Sequence, residues 1–413
     1  HSMIKGDIEG HWKNAKNLKE ELKDKSYFKS GKEHYQNYLP SKIILIYSYL
    51  TKDELIVEGE VTIGKKKMYL LLFQSLFFYF SIFFFSIQLS KKVNNNVFLY
   101  TAIFLSFEPT IFQWQSSFWT ESIFFSLQLI CFGIFIKTNK TLFNILSIGL
   151  LIGIMSLQRS AALYYIFPVL AYSLFFFKKS KLIKLFTLIS GFLIVLSFLG
   201  YHNYKRSGVF YFIPGDHKDV MQMYVYNALL SKTENLSSAD TNNKIDNLFN
   251  KWAEKNQIDL NNEKDKLFFL DYKKDVVLKY IINHPIQLIE FVIEKSLHTL
   301  VLDPVHVMNF HKFEYKSPTN PYYKSDIHKF WIPIRIIYSL IVYIIIFLGF
   351  LYALNNKEKS LPIFSLLSAF YFILILCWMG NPRYFMPALI YLSIFFGYGI
   401  ECILKKFLIK KNY

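Results

Sequence analysis

Met68-Tyr69-Leu70-Leu71-Leu72-Phe73-Gln74-Ser75-Leu76-Phe77-Phe78-Tyr79-Phe80-Ser81-Ile82-Phe83-Phe84-Phe85-Ser86-Ile87-Gln88-Leu89 carries no charged side chain from end to end. At about 1.5 Å per residue, a helix of about 20 residues crosses the roughly 30 Å hydrocarbon layer of a bilayer. A soluble core helix needs no such uniformity, because one of its faces meets water. Further apolar runs lie at about 97–108, 119–136, 142–158, 161–177, 182–201, 330–353, 361–379 and 384–404. The expected fold class is therefore all-α: a polytopic transmembrane helical bundle of about nine visible spans with one large helical extracytoplasmic loop.

Charge sets the expected orientation. Lys and Arg number 47 against 30 Asp and Glu, and the excess is concentrated in short connectors. Lys91 and Lys92, Lys137 and Lys140, the cluster from Lys178 to Lys184, Lys357 and Lys359, and Lys405 to Lys411 fall on alternate connectors. By the positive-inside rule these are cytoplasmic, and Lys65 to Lys67 are the exception. The basic balance thus suits a lipid bilayer, and no nucleic-acid partner is expected. With this orientation the first sixty or so residues lie outside, so a further span is expected upstream of His1. Cys131, Cys377 and Cys402 all sit in apolar runs, and no disulfide framework is expected.

Four regions follow: 1–66, a first extracytoplasmic segment with an interfacial helix; 67–201, six spans; 202–329, the large extracytoplasmic loop; and 330–413, three spans with a basic cytoplasmic tail. The run Ile43 to Leu50 is too short to span and suits the interface. In the loop, 219–232, 242–256, 264–282 and 285–300 show helical spacing, and Asn/Ser/Thr-rich 231–243 reads as a flexible connector.

Unusual polar residues gather on the expected outer side. Gly6-Asp7-Ile8-Glu9-Gly10-His11-Trp12 places two carboxylates beside a His and a Trp. Glu108 ends one span and Glu121 opens the next. An ionisable side chain at a span end is costly unless it is paired or wet, and otherwise it only marks the interface. Arg159, in Leu157-Gln158-Arg159-Ser160, either snorkels to the surface or grips a phosphate through its planar fork. Lys205 and Arg206 follow the sixth span on the side where basic residues are disfavoured, which suits a phosphate or a plain surface role. Asn381-Pro382-Arg383-Tyr384 opens the last span; Arg383 suits a phosphate, or an anchor beside its belt aromatic.

Taken in order, these pieces resemble the GT-C superfamily of membrane glycosyltransferases, in particular protein O-mannosyltransferases and bacterial aminoarabinose-type lipid A transferases. The resemblance rests on Gly6-Asp7 with Trp12, Ala15 and Leu18, on Thr120-Glu121, on Leu157 to Arg159, on Asn203-Tyr204 with Gly208, on His284-Pro285, and on Arg383-Tyr384 with Pro387. The missing first span and the lack of a recognisable carboxy-terminal soluble domain depart from the family pattern.

What the resemblance implies is a transferase that moves a sugar from a polyprenyl-phosphate donor to an acceptor hydroxyl of a lipid, glycan or protein. The chemistry would occur on the extracytoplasmic side of a bacterial inner membrane. Asp7 would be the catalytic base and Glu9 its helper. His11, Glu108, Glu121, Arg159, Lys205, Arg206, Arg383 and Tyr384 would bind substrate. A divalent metal shared by Asp7, Glu9 and His11 is one option; no cofactor is otherwise expected. A lipid-linked polysaccharide polymerase and a transporter or flippase are the rival functions. Charge at the membrane midplane would favour the transporter, and the spans show almost none.

Overall fold

The structure, a computed structural model, describes residues 2–24, 38–52, 65–115, 120–137, 141–177, 180–212, 225–260, 262–301, 326–355, 359–376 and 384–411. Among these residues there is no strand. The chain forms two compact units: 1–4 with 62–193 and 296–413, and 5–61 with 194–295.

The helices run in chain order as α1 (Ser2–Lys23), α2 (Tyr38–Thr51), α3 (Lys65–Ser90), α4 (Asn95–Phe107), α5 (Pro109–Gln115), α6 (Thr120–Ile136) and α7 (Leu142–Gln158). A 3-10 turn, Ser160–Tyr165, leads into α8 (Ile166–Phe176) and then α9 (Lys181–Ser207). After these come α10 (Asn227–Glu234), α11 (Ser238–Lys255), α12 (Glu263–Asn283) and α13 (Pro285–Leu300). The last three are α14 (Asp326–Leu354), α15 (Ser360–Leu376) and α16 (Met386–Lys411).

Four of these, α3, α9, α14 and α16, contain stretches long and apolar enough to cross a membrane. The bent pair α12–α13 would make a fifth if counted as one span. The other expected spans are apolar helices of 10–17 residues. Seventeen residues rise only about 25 Å, short of a full hydrocarbon layer. Local chemistry accounts for several of their ends. Asn94 and Thr141 cap α4 and α7 by accepting from Val97 N and Asn144 N. Arg159 in extended conformation stops α7.

The larger unit is an aromatic-cored bundle. Phe132, Phe135, Phe364 and Tyr172 pack ring to ring, and Tyr165, Phe372 and Tyr391 continue the cluster. Two helices meet backbone to backbone. A Cβ on Gly349 would lie 1.7 Å from the Phe395 carbonyl, and one on Gly399 would lie 2.0 Å from that of Ile345. Only glycine admits α14 and α16 at that separation.

In the smaller unit, α10, α11 and α12 bury Tyr226, Leu230, Ile245, Phe249, Phe269 and Val277 together. Residues 231–243, expected to be flexible, form a helix–turn–helix. Asn235 adopts the left-handed conformation (φ 53°) that closes α10, and the Ser237 hydroxyl accepts from Asp240 N to start α11. Gly208 (φ 74°) ends α9 and lets the chain turn back. Phe210 then packs on Gly200, and Asn203 Nδ2 donates to Tyr211 O at 2.7 Å.

The opening stretch is helical: α1 already begins at Ser2, and Asp7 lies within it. Trp12, Ala15 and Leu18, three residues apart, are fully buried and form the helix's packed row.

Candidate functional site

In the larger unit, one cluster joins three of the stretches singled out by sequence. Glu121 lies in the first turn of α6, and Arg159 is where α7 stops. Arg159 Nη1 donates to Glu121 Oε1 at 2.8 Å, and the Glu121 side chain is wholly buried. The guanidinium carbon sits 5.5 Å from the Tyr384 ring centre and 5.9 Å from that of Phe124. Aromatic faces attract a cation and hold its plane. Neighbouring bonds fix the frame: Gln158 Nε2 donates to Thr120 O at 3.0 Å, and the Thr120 hydroxyl donates to Glu121 Oε2 at 3.2 Å. Arg159 is thus buried beside its partner and does not snorkel to the surface.

Glu108 belongs to the same unit but to a different task. It caps α5, accepting from Ile111 N at 2.7 Å and from the Thr110 hydroxyl at 3.0 Å. Tyr338 Oη donates to it at 3.2 Å. Its hydrogen bonds close a helix junction, as an N-cap does.

The smaller unit holds a second charged cluster, built mainly from residues the sequence reading passed over. Arg206, near the end of α9, is buried, and its Nη2 donates to Glu21 Oε2 of α1 at 3.2 Å. Lys42 of α2 lies within electrostatic reach of both, and His202 lies within reach of Lys42 and Arg206. Burial first, then the positive charge of Arg206, lowers the Lys42 ammonium to about 7, while Glu21 acts the other way. Lys19 over the Tyr49 ring at 5.5 Å is a further tie between α1 and α2. Lys205, by contrast, is exposed and lies over the Tyr201 ring of its own helix at 5.5 Å. Of the adjacent basic pair, only Arg206 turns inward.

The remaining candidates place as follows. His11 is buried on α1 beside Trp12. Positions 7 and 9 lie on the same helix, and their side chains are outside the described residues, as is Arg383. Glu21 is fourteen residues beyond Asp7, about 21 Å along a helix axis. The α1 carboxylate that meets Arg206 is therefore not the one the opening motif singles out. Among the described residues, no group of three His, Cys, Asp or Glu side chains could hold a metal ion.

No protein-family model, curated protein or solved structure matches this chain.

Proposed function

We propose that the chain is a membrane glycosyltransferase of the GT-C type, moving a sugar from a polyprenyl phosphate to an acceptor hydroxyl on the extracytoplasmic face of a bacterial inner membrane. One observation supports this reading most. Thr120-Glu121, Gln158-Arg159 and Tyr384, three of the stretches that carry the family resemblance, meet around one buried guanidinium. A span count of about nine belongs to the same reading, with the shorter apolar helices tilted or paired to complete the crossing.

The chemistry assigns two tasks. Asp7 takes the proton of the acceptor hydroxyl as its oxygen bonds to the anomeric carbon. The bond from that carbon to the phosphate oxygen breaks, and the electron pair leaves with the phosphate. Attack from the opposite face inverts configuration, as it does with a single base in inverting glycosidases. Arg159 is assigned to the leaving phosphate. Glu121 offsets its net charge, so its contribution is the fixed direction of its N–H groups. Preorganised donors in a dry site stabilise developing charge without reorganising. Glu9 orients the acceptor, and the isoprenoid tail lies along the Phe-rich spans.

The test uses membranes containing the whole chain and a polyprenyl-phosphate hexose tritiated in the sugar. Label is expected to move covalently to an endogenous acceptor. Asp7→Asn and Arg159→Lys are expected to abolish transfer while leaving expression and insertion intact. Transfer at the parent rate by both variants would overturn the assignment. Label carried across the bilayer without a new bond would indicate a flippase, and transfer of whole repeat units a polymerase.

A further inference from the structure

Helix α13 has two apolar faces. One is packed: Phe291 is buried, and Leu288 and Val292 are half-buried. The other is bare. Ile286, Ile289, Ile293 and Leu297 are 67, 59, 57 and 62 % exposed, and Ile282, at the end of α12, is 74 % exposed. Within α13 the spacing of three, four and four draws one line along the helical surface. Single exposed hydrophobics need no explanation, but a continuous row of four on one helix does.

The preceding helix is of another kind. α12 exposes Lys264, Asp271, Lys274 and Asp275 to solvent. A bend of 98° at His284-Pro285 separates the two helices, and His284 stacks on Tyr280 and bonds its carbonyl at 2.9 Å. The chain thus passes from a charged, wetted helix into one with a bare isoleucine row.

We infer that α13 lies flat in the membrane surface, with the row Ile286, Ile289, Ile293 and Leu297 seated at the boundary between headgroups and acyl chains. Its sixteen residues rise about 24 Å, too little to cross. A spanning helix is apolar all round, whereas a helix with one bare apolar row and polar flanks lies in the interface. Residues 285–295 of α13 belong to a unit that also carries a membrane-span candidate. That unit includes the second half of α9, a candidate span, where Phe198, Tyr201 and Tyr204 are exposed. A second copy of the chain fits the row less well. Glu290 and Glu294 border it, and an isologous pairing through the row would bring like charges together. In the interface both carboxylates keep their own partners, Lys232 at 2.6 Å and Lys295 at 3.6 Å.

Spin labels on the whole chain would test this. Cys131, Cys377 and Cys402 are replaced by Ser, and single cysteines are placed at Ile289, Ile293, Lys264 and Phe198. The protein is reconstituted in phosphatidylcholine vesicles containing phosphatidylglycerol. Labels at Ile289 and Ile293 are expected to collide with oxygen more than with a water-soluble nickel chelate, as at Phe198 and opposite to Lys264. Nickel access at Ile289 equal to that at Lys264 would overturn the inference. Shielding from both reagents that disappears when the protein is diluted in lipid would overturn it in favour of a second copy. If the cysteine-free chain does not fold, hydroxyl-radical footprinting of the parent in nanodiscs serves instead. Protection of 286–297 with labelling of 264–275 is expected, and equal labelling of both would refute the docking.

Discussion

Among the described residues, two buried arginine–carboxylate pairs are closed in different ways. Glu121–Arg159 is completed by aromatic rings: Tyr384 and Phe124 stand beside the guanidinium, and the charges balance within the pair. Glu21–Arg206 is completed by further basic side chains: Lys42 and His202 lie within electrostatic reach. The first pair is a neutral joint between two helix ends. In the second, one carboxylate serves several basic groups, so its electrostatics depend on which of them hold a proton. The same two side-chain types thus give a charge-balanced brace in one unit and a pH-sensitive cluster in the other.

The largest effect is expected where the brace is broken on one side only. Arg159→Met takes the cation away from the wholly buried Glu121 carboxylate, and losing one partner of a buried pair costs about 3–5 kcal/mol. Thermal unfolding in detergent should show a drop of that order. The double variant Glu121→Gln with Arg159→Met should recover most of it, because no charge then stays buried alone. If the double variant is as unstable as the single one, Arg159 stabilises mainly through its stacking on Tyr384 and Phe124, and the pairing matters little.

The next effect separates the two clusters by pH. The unfolded Lys42 side chain holds its proton to about pH 10.5, and the folded one only to about 7. Between those values the unfolded state binds more protons, so stability rises with pH through that window. Below pH 7 both states are protonated and the penalty of the buried ammonium is felt in full. The groups acting on it are Arg206 and His202 from α9 and Glu21 from α1. Unfolding midpoints measured from pH 6.5 to 10 should climb in the parent and flatten in Lys42→Met. Arg159→Met should keep the parent's slope while lowering every point. A flat parent profile would mean that Lys42 stays charged when folded.

These contrasts show what could be read in the sequence and what could not. The uncharged run from Met68 to Leu89 announces a helix in lipid because no other solvent tolerates it, and α3 spans that run. Glu121 and Arg159 stand out singly, as charges at the ends of apolar helices. Their pairing does not, because it depends on how two helix ends thirty-eight residues apart come together. Glu21 was hidden for the opposite reason. In Lys19-Glu20-Glu21-Leu22-Lys23-Asp24 it looks like one more charge on a solvated helix face, and only the packing of α1 reveals its partner. Lys42 was hidden by its apolar surroundings, where a lysine normally reads as snorkelling to the headgroups. The opening motif is open to two readings. The spacing of Trp12, Ala15 and Leu18 is as much a helix row as a family signature, and α1 uses it as the row.

The smallest effect is expected one residue from the second cluster. Lys205 and Arg206 are neighbours in sequence, but a helix turns about 100° between them. Arg206 goes inward to Glu21, and Lys205 stays in solvent over Tyr201. An exposed cation over a ring contributes about 0.5–1 kcal/mol at most, and surface substitutions usually stay within about 0.5 kcal/mol. Lys205→Ala should therefore leave both the unfolding midpoint and its pH slope almost where they were. Arg206→Ala should lower the midpoint, because it removes the arginine that Glu21 bonds, and should reduce the slope, because it takes away a charge that opposes protonation of Lys42. A slope that changes with Lys205 and not with Arg206 would mean that the cluster is organised around the outer cation, and the contrast between the two pairs would then lose its physical basis.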